Sequence, residues 1–180
     1  GSEFIKLIGL NNNKGPSYTR NKAWEIADSS YIAFLDADDT WLPNKLKIQY
    51  QTMIENSNVV ISGHLCSWTD NEMNKNNFLD SDSFHFVKVR EILISNIFKT
   101  TSTIMVKSDI LERFSEKKRY AEDYLFILNI LLKNNQAVQI ESKLVCQYKA
   151  PYGMGGLSGN LWLMEKGELE AYFSLYKEGL

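Results

Sequence analysis

The sequence predicts an α/β domain, and three observations carry that prediction. Short apolar runs alternate with stretches of helical periodicity along most of the chain. One of these runs, Tyr31-Ile-Ala-Phe-Leu35, passes without a break into Asp36-Ala-Asp-Asp-Thr40. Ligands of an open α/β sheet gather just beyond the carboxyl ends of strands, which is where such a cluster belongs. Finally, 180 residues, 44% hydrophobic and 23% charged, suit one globular core with at most a small appendage.

In chain order, Gly1-Ser-Glu-Phe4 is similar to a cloning remnant and is set aside. Ile5–Leu10 reads as a strand, and 11–16 as a loop broken by Gly15 and Pro16. Ser17 is placed to cap a helix with Ala23, Ile26 and Ala27 on its inner face. Ile32–Leu35 reads as a strand buried on both sides. Pro43 suits the first turn of the next helix, whose Leu46, Tyr50, Met53 and Ile54 share one face up to Asn56.

Val59–Ser62 opens a strand running towards His64 and Trp68, and 69–83 reads as an exposed polar excursion. Thr101–Val106 follows as a strand, Ser108–Phe114 as a short helix and Ala121–Lys133 as a buried helix. Ala137–Ile140 and Lys143–Tyr148 alternate as two strand segments. Pro151–Gly159 holds four glycines and is expected to be a mobile loop. A last amphipathic helix over 161–177 carries Leu169, Tyr172, Phe173 and Tyr176 on one face. The expected division is a domain over 5–160 and a C-terminal helix over 161–180.

Composition excludes several classes. A formal net charge of -2 gives nucleic acid no electrostatic footing. Cys66 and Cys146 lie in no metal-ligand pattern and suit a reducing, cytoplasmic setting. No run approaches the roughly 18–20 apolar residues that a membrane span needs.

The chemistry centres on Asp36, Asp38 and Asp39. Crowded carboxylates repel one another and raise each other's pKa, so a cation must offset them. A hard divalent ion such as Mg²⁺ or Mn²⁺, shared with a phosphorylated substrate, does so through oxygen. The plainer reading is an acidic turn capping the Pro43 helix. A calcium EF-hand loop starting at Asp36 would need Gly and Glu where Trp41 and Lys47 stand. Asp36-Ala-Asp-Asp-Thr40 also fits the DxDxT pattern of haloacid-dehalogenase-like phosphatases, with Asp36 as nucleophile and Asp38 as acid/base. The later motifs of that family have no convincing match here.

Two further segments matter. In Asn13-Lys-Gly-Pro-Ser-Tyr-Thr-Arg-Asn21, Gly15 permits a tight turn, while Lys14 and Arg20 can face phosphate or the acids. In Tyr120-Ala-Glu-Asp-Tyr124, acids open an apolar helix. They complement its dipole, or supply a partly desolvated general base.

Taken together and in this order, the segments resemble family 2 glycosyltransferases. The family's Asn-x-Gly, Ala-Arg-Asn and Leu-Asp-x-Asp-Asp elements appear as Asn13-Lys-Gly15, Thr19-Arg-Asn21 and Leu35-Asp-Ala-Asp-Asp39. Trp41-Leu-Pro43, Thr101–Val106, Ala121-Glu-Asp-Tyr124, Tyr148-Lys149 and Gly155-Gly-Leu-Ser158 continue the likeness over about 5–160. The resemblance implies a GT-A-like (Rossmann-like) mixed, mainly parallel sheet flanked by helices. It also implies sugar transfer from a nucleotide-sugar donor to an acceptor hydroxyl with inversion, in surface polysaccharide synthesis. The acceptor would be a glycan or lipid-linked, and the protein cytoplasmic or peripheral to the inner membrane face.

The same resemblance assigns roles. Asp38 and Asp36 would hold Mn²⁺ or Mg²⁺, Asp36 also lying nearer the ribose. Arg20, with Lys14 and Gly15, would hold the nucleotide end. Asp123 would be the catalytic base. Asp39 and Trp41 would support the site, and Glu122 would be an acceptor or structural partner. Lys149 stands where the family often has Arg.

The family's opening Pro-x-Tyr-Asn and Asp-Asp-x-Ser motifs have no counterpart. The sequence therefore reads as N-terminally truncated, with weak nucleotide affinity and an exposed sheet edge that invites homo-oligomers. A non-catalytic, oligomeric binding domain is the third reading.

Overall fold

The structure, a computed structural model, describes residues 4–68, 83–133, 135–148 and 160–177. Outside the described residues lie Gly1–Glu3, the expected excursion up to residue 82, and 149–159 with the expected glycine-rich loop and Lys149.

The elements in order are α1 (Pro16–Glu25), β1 (Tyr31–Ala33), β2 (Asp39–Trp41), α2 (Lys45–Glu55), β3 (Val59–Trp68) and β4 (Phe84–Phe86). Then come α3 (Val89–Ile94), a 3-10 turn (Thr101–Thr103), β5 (Met105–Lys107), α4 (Glu122–Leu132), β6 (Gln136–Gln147) and α5 (Leu161–Lys177). One mixed sheet runs β1-β5-β3-β6-β2, and β4 also pairs with β6. Strand β6 is the hub, parallel to β3 and antiparallel to both β4 and β2. The expected mixed α/β sheet is therefore present, with the parallel part narrower than anticipated. Among the described strands only β3 and β6 run parallel, because β1 and β2 pair with returning segments instead.

The core lies on both faces of β3. Ile61 joins Phe98, Ile104, Phe126 and the rest of apolar α4 on one face. The other face meets α2 through Met53, Val59, Met105 and Val138. Gly63 is needed on the first face: a Cβ there would lie 2.1 Å from the Phe98 ring. Aromatic rings knit α1 to α4, with Trp24 set edge-on to Phe126 at 6.0 Å and Phe114 stacked on the same Phe126 ring at 4.3 Å. Helix α5 packs on α4, Gly167 lying close against Tyr120, and Lys118 Nζ donates to the Gly167 carbonyl.

Several expected elements differ, each for a physical reason. Ile5–Leu10 is not a strand, since no described strand offers it a ladder and its side chains stay exposed. The expected Ile32–Leu35 strand is Tyr31–Ala33, half-buried, with Leu35 exposed. Ser108–Phe114 is not helical, and side chains of α1 bond backbone groups at both of its ends. Asn21 bonds both the carbonyl and the N–H of Phe114, at 2.9 and 3.1 Å, and Trp24 Nε1 donates to Ser108 O. Thr101–Val106 divides into the 3-10 turn and β5. The two segments 137–140 and 143–148 are one strand, β6, whose pairing with β3 shifts register between His64 and Cys66.

Both early helices are rotated from expectation. Helix α1 buries Ser17, Asn21 and Trp24, while Ala23, Ile26 and Ala27 face outwards. Helix α2 buries Lys45, Gln49, Thr52 and Met53 and leaves Leu46, Tyr50 and Ile54 exposed. Gln49 explains the second rotation: its amide donates to Ser62 Oγ at 3.1 Å and to Thr103 O at 2.9 Å. Buried polar groups must be paired, and those acceptors lie on the sheet. No described helix is long and apolar enough to cross a membrane.

Candidate functional site

The site forms where α1, the β1–β2 turn and α4 meet. Gly15, at φ +86°, reverses the chain into α1, a conformation that favours glycine. Asn13 Oδ1 accepts the Gly15 N–H at 2.9 Å, and Pro16 opens the helix with its φ preset. One turn later Arg20 points inwards, with 14% of its side chain exposed.

Arg20 is the link between the two acidic segments. Its Nη2 lies 2.8 Å from Asp36 Oδ1, and its Nη1 lies 3.0 Å from Glu122 Oε1. The guanidinium also covers the Phe114 ring at 5.3 Å. Burial works against its charge, but Asp36, Glu122 and Asp123 outweigh that and raise its pKa. The planar fork serves two carboxylates at once, as a lysine ammonium does not. The cation expected to offset the acidic cluster is, on the protein's side, Arg20.

The acidic turn itself closes through an Asp39 N–H to Asp36 O hydrogen bond of 3.1 Å. Its three acids diverge. Asp36 meets Arg20, and Asp38 is exposed. Asp39 turns towards Ser102 and Gln147, which favour its charge, while its Oδ2 is buried with no hydrogen-bond partner among the described residues. Burial is what chiefly pushes the Asp39 carboxyl up, and repulsion by Asp36 and Asp38 adds to it. Crowding, expected to dominate, is therefore the smaller cause. Trp41 Nε1 donates to Ser102 O at 2.9 Å, and Lys45 Nζ sits 4.0 Å over the Trp41 ring.

The third part is the start of α4. Ala121 holds a left-handed conformation at φ +52°, a position that costs a non-glycine residue energy and bends the chain sharply into Glu122. Both acids sit in the first turn, and the Tyr124 N–H donates to Asp123 Oδ1 at 2.8 Å. Burial, with the Glu122 carboxylate beside it, pushes the Asp123 carboxyl up to about 6. A carboxylate so poised can take a proton from a hydroxyl near neutral pH.

The structure thus brings together Arg20, Asp36, Asp39, Trp41, Glu122 and Asp123. Lys14 is not brought to the acids: it is exposed and lies 4.6 Å over the Tyr18 ring. Sequence reasoning missed Ser102 and Lys45. The hydroxyl run Thr100-Thr-Ser-Thr103 was the available signal, since three of its residues fall in the expected strand Thr101–Val106 and need partners if buried. His64 is buried, with burial pushing its imidazole down to about 3, and His85 is exposed between Glu91 and Glu141.

Among the described residues no three His, Cys, Asp or Glu side chains group closely enough to hold a metal. Asp36 and Asp38 nevertheless offer hard carboxylate oxygens at an accessible edge, a donor set that suits Mg²⁺ or Mn²⁺ when substrate and water complete it.

Residues 1–115 match glycosyl transferase family 2. An uncharacterized glycosyltransferase of Methanocaldococcus jannaschii, MJ1057, is 29% identical over 176 residues, covering 95% of this chain and 58% of the relative. The Escherichia coli UDP-Glc:alpha-D-GlcNAc-diphosphoundecaprenol beta-1,3-glucosyltransferase WfgD is 32% identical over 135 residues, 73% of this chain and 50% of the relative. Among solved structures, S. aureus TarS 1-349 in complex with UDP-GlcNAc superposes with a TM-score of 0.62 at 21% identity, covering 84% of this chain and 43% of that one. The fold is thus GT-A-like, as the resemblance implied, and the chain spans about half the length of these relatives. With the motifs, the fold and the match over 1–115 in agreement, the chain belongs to glycosyl transferase family 2.

Proposed function

We propose that the protein carrying this chain transfers a sugar, with inversion, from a nucleotide-sugar donor to an acceptor hydroxyl in surface polysaccharide synthesis. One observation carries the reading. Arg20 ties Asp36 of the acidic turn to Glu122, the neighbour of Asp123, so donor-side and acceptor-side acids share one electrostatic unit. Two relatives support the class by their names, the UDP-Glc:alpha-D-GlcNAc-diphosphoundecaprenol beta-1,3-glucosyltransferase WfgD and the putative teichuronic acid biosynthesis glycosyltransferase TuaG of Bacillus subtilis.

In this reading Asp38 and Asp36 hold Mn²⁺ or Mg²⁺ beside the diphosphate. When bound, the ion neutralises charge on the departing diphosphate. Asp123, its carboxyl raised by burial, accepts the proton of the attacking hydroxyl. Glu122 holds Arg20, and Arg20 holds Asp36 and the donor's anionic end. Asp39 and Trp41 keep the turn in shape from behind. The Gly15 turn sets the start of α1 and so the reach of Arg20.

The acceptor is a glycan or a lipid-linked sugar met at the inner face of a membrane, to which the protein is peripheral. TarS in complex with UDP supports a uridine nucleotide as the probe to try first. Because the sequence lacks the Pro-x-Tyr-Asn and Asp-Asp-x-Ser motifs, these 180 residues alone bind donor weakly. The β1 edge, unpaired among the described residues, and the exposed Leu46, Tyr50 and Ile54 favour self-association.

The deciding experiment measures metal-dependent binding and hydrolysis over a panel of nucleotide sugars, with Asp38→Ala as control. The chain is run beside one preceded by the family's two opening strands. Mn²⁺- and Asp38-dependent binding by the longer chain is expected. Tight, saturable binding by the 180 residues alone contradicts the weak-affinity proposal. No binding by either chain leaves the oligomeric binding domain as the better account.

A further inference from the structure

We infer that Ser102 is a positioning residue for the acidic turn, presetting Asp36 and Asp39 for metal-assisted nucleotide binding. Ser102 has no solvent exposure and lies in the 3-10 turn just before β5, near the middle of the sheet. From there it reaches three residues of the turn. Its Oγ accepts the Asp36 N–H at 3.0 Å, and its hydroxyl lies near enough to the Asp39 carboxylate to favour that charge against burial. Its carbonyl accepts the Trp41 Nε1–H at 2.9 Å. A serine hydroxyl has one proton to donate and lone pairs to accept, so both Oγ contacts can exist together.

The geometry of the clamp is selective. Asp36 is held at its N–H, which leaves its carboxylate to Arg20 and whatever lies outside. Asp39 is half-buried on the Ser102 side of the turn, away from the exposed Asp38. Asp38, between the two, keeps its exposed position. Ser102 is itself fixed by its neighbours. Thr100 Oγ1 accepts the Ser102 N–H at 3.4 Å, and Thr103 Oγ1 donates to Phe98 O at 2.6 Å and Thr100 O at 2.8 Å. Threonine hydroxyls thus brace the turn from behind, while the serine hydroxyl faces the acids.

The catalytic side of this inference rests on the proposed function, and the test separates the two. Amide exchange over 36–41 is measured without metal or nucleotide on wild type, Ser102→Ala, Ser102→Thr and Trp41→Phe. Mn²⁺ is then titrated calorimetrically at millimolar UDP into the same four variants preceded by the family's two opening strands. Ser102→Ala is expected to speed exchange in the turn and raise the half-saturating Mn²⁺ concentration, each by about tenfold. Ser102→Thr restores most of both, and Trp41→Phe shifts both the same way by less. Trp41→Phe alone decides the matter if Ser102→Ala does not fold. Unchanged exchange in the turn, or an unchanged Mn²⁺ midpoint, overturns the inference. So does an equal loss of UDP binding at every Mn²⁺ concentration, the mark of general unfolding. If wild type preceded by the family's two opening strands binds no UDP with Mn²⁺, the proposed function itself is overturned, and with it this role. That result is distinct because wild type fails together with the variants.

Discussion

Arg20 and Glu122 stand 102 positions apart in the sequence, yet Nη1 of the first lies 3.0 Å from Oε1 of the second. The pair is only 14% and 11% side-chain exposed, and Arg20 also reaches Asp36. A cation shared by two acids sets three charges in one place, so changing it exposes what it balances.

Arg20→Ala should leave Glu122 with an uncompensated, largely buried charge. Breaking such a pair is expected to cost about 2–3 kcal/mol, discounted because Asp36 is partly solvated. Arg20→Lys should recover less than half, since one ammonium does not span two carboxylates. Urea midpoints of the three chains check this, and equal midpoints contradict it.

Asp123 predicts an acid limb in the transferase rate. The base works only when deprotonated, so activity should rise with pH through about 6, the value to which burial lifts it. Asp123→Asn should lower turnover by about two to four orders of magnitude and remove that limb. The stability effect has the opposite sign. The folded state holds this proton more tightly than the ordinary value of 3.8 would, so its contribution is present below that pH and lost by about 6. Rate–pH profiles of donor transfer, with denaturation midpoints on the same samples, measure both.

Lys45 is fully buried, its Nζ has no hydrogen-bond partner among the described residues, and burial pushes its pKa down to about 7. The unfolded chain keeps that proton up to about 10.5, so wild-type stability should rise with pH between the two values. Lys45→Met lacks this dependence. The stability advantage of the methionine variant should therefore shrink by up to about 1.4 kcal/mol per pH unit across that window. A difference that stays flat from pH 6 to 10 would mean that Lys45 does not titrate there.

Gly63→Ala should be costly for a residue in mid-strand. The added Cβ meets Phe98 Cδ1 at 2.1 Å, and Phe98 is itself fully buried, so the ring has nowhere easy to go. A loss of about 1–3 kcal/mol is expected. Gly63→Ala combined with Phe98→Leu should recover part of it in a double-mutant cycle, and strict additivity would show that the clash is not the cause.

Much of the site was legible in the sequence because its residues come in tight local groups. Asp36, Asp38 and Asp39 announce themselves by crowding, and Glu122 and Asp123 by opening an apolar helix. What stayed hidden depends on distant partners. The inward face of α2 was misread because Gln49 finds its acceptors on Ser62 and Thr103, which no local periodicity records. The stretch 108–114 has a helical pattern but gives its backbone groups to Asn21 and Trp24. Ser102 looked like one more residue of a strand until the turn that it grips came into view. Local pattern reveals the chemistry of a segment, and tertiary hydrogen bonding decides its shape.

Strand β6 also sets an order of assembly. The acidic turn is pinned at its far end by β2, and among the described strands β2 pairs only with the last part of β6, Asp39 opposite Gln147. During synthesis the Asp36–Asp39 segment leaves the ribosome well before Gln147, its partner in the ladder among the described strands. The centre encoded near the front of the chain is thus among the last parts to take shape. A nascent chain stalled before β6 would carry all three acids and still have no formed site.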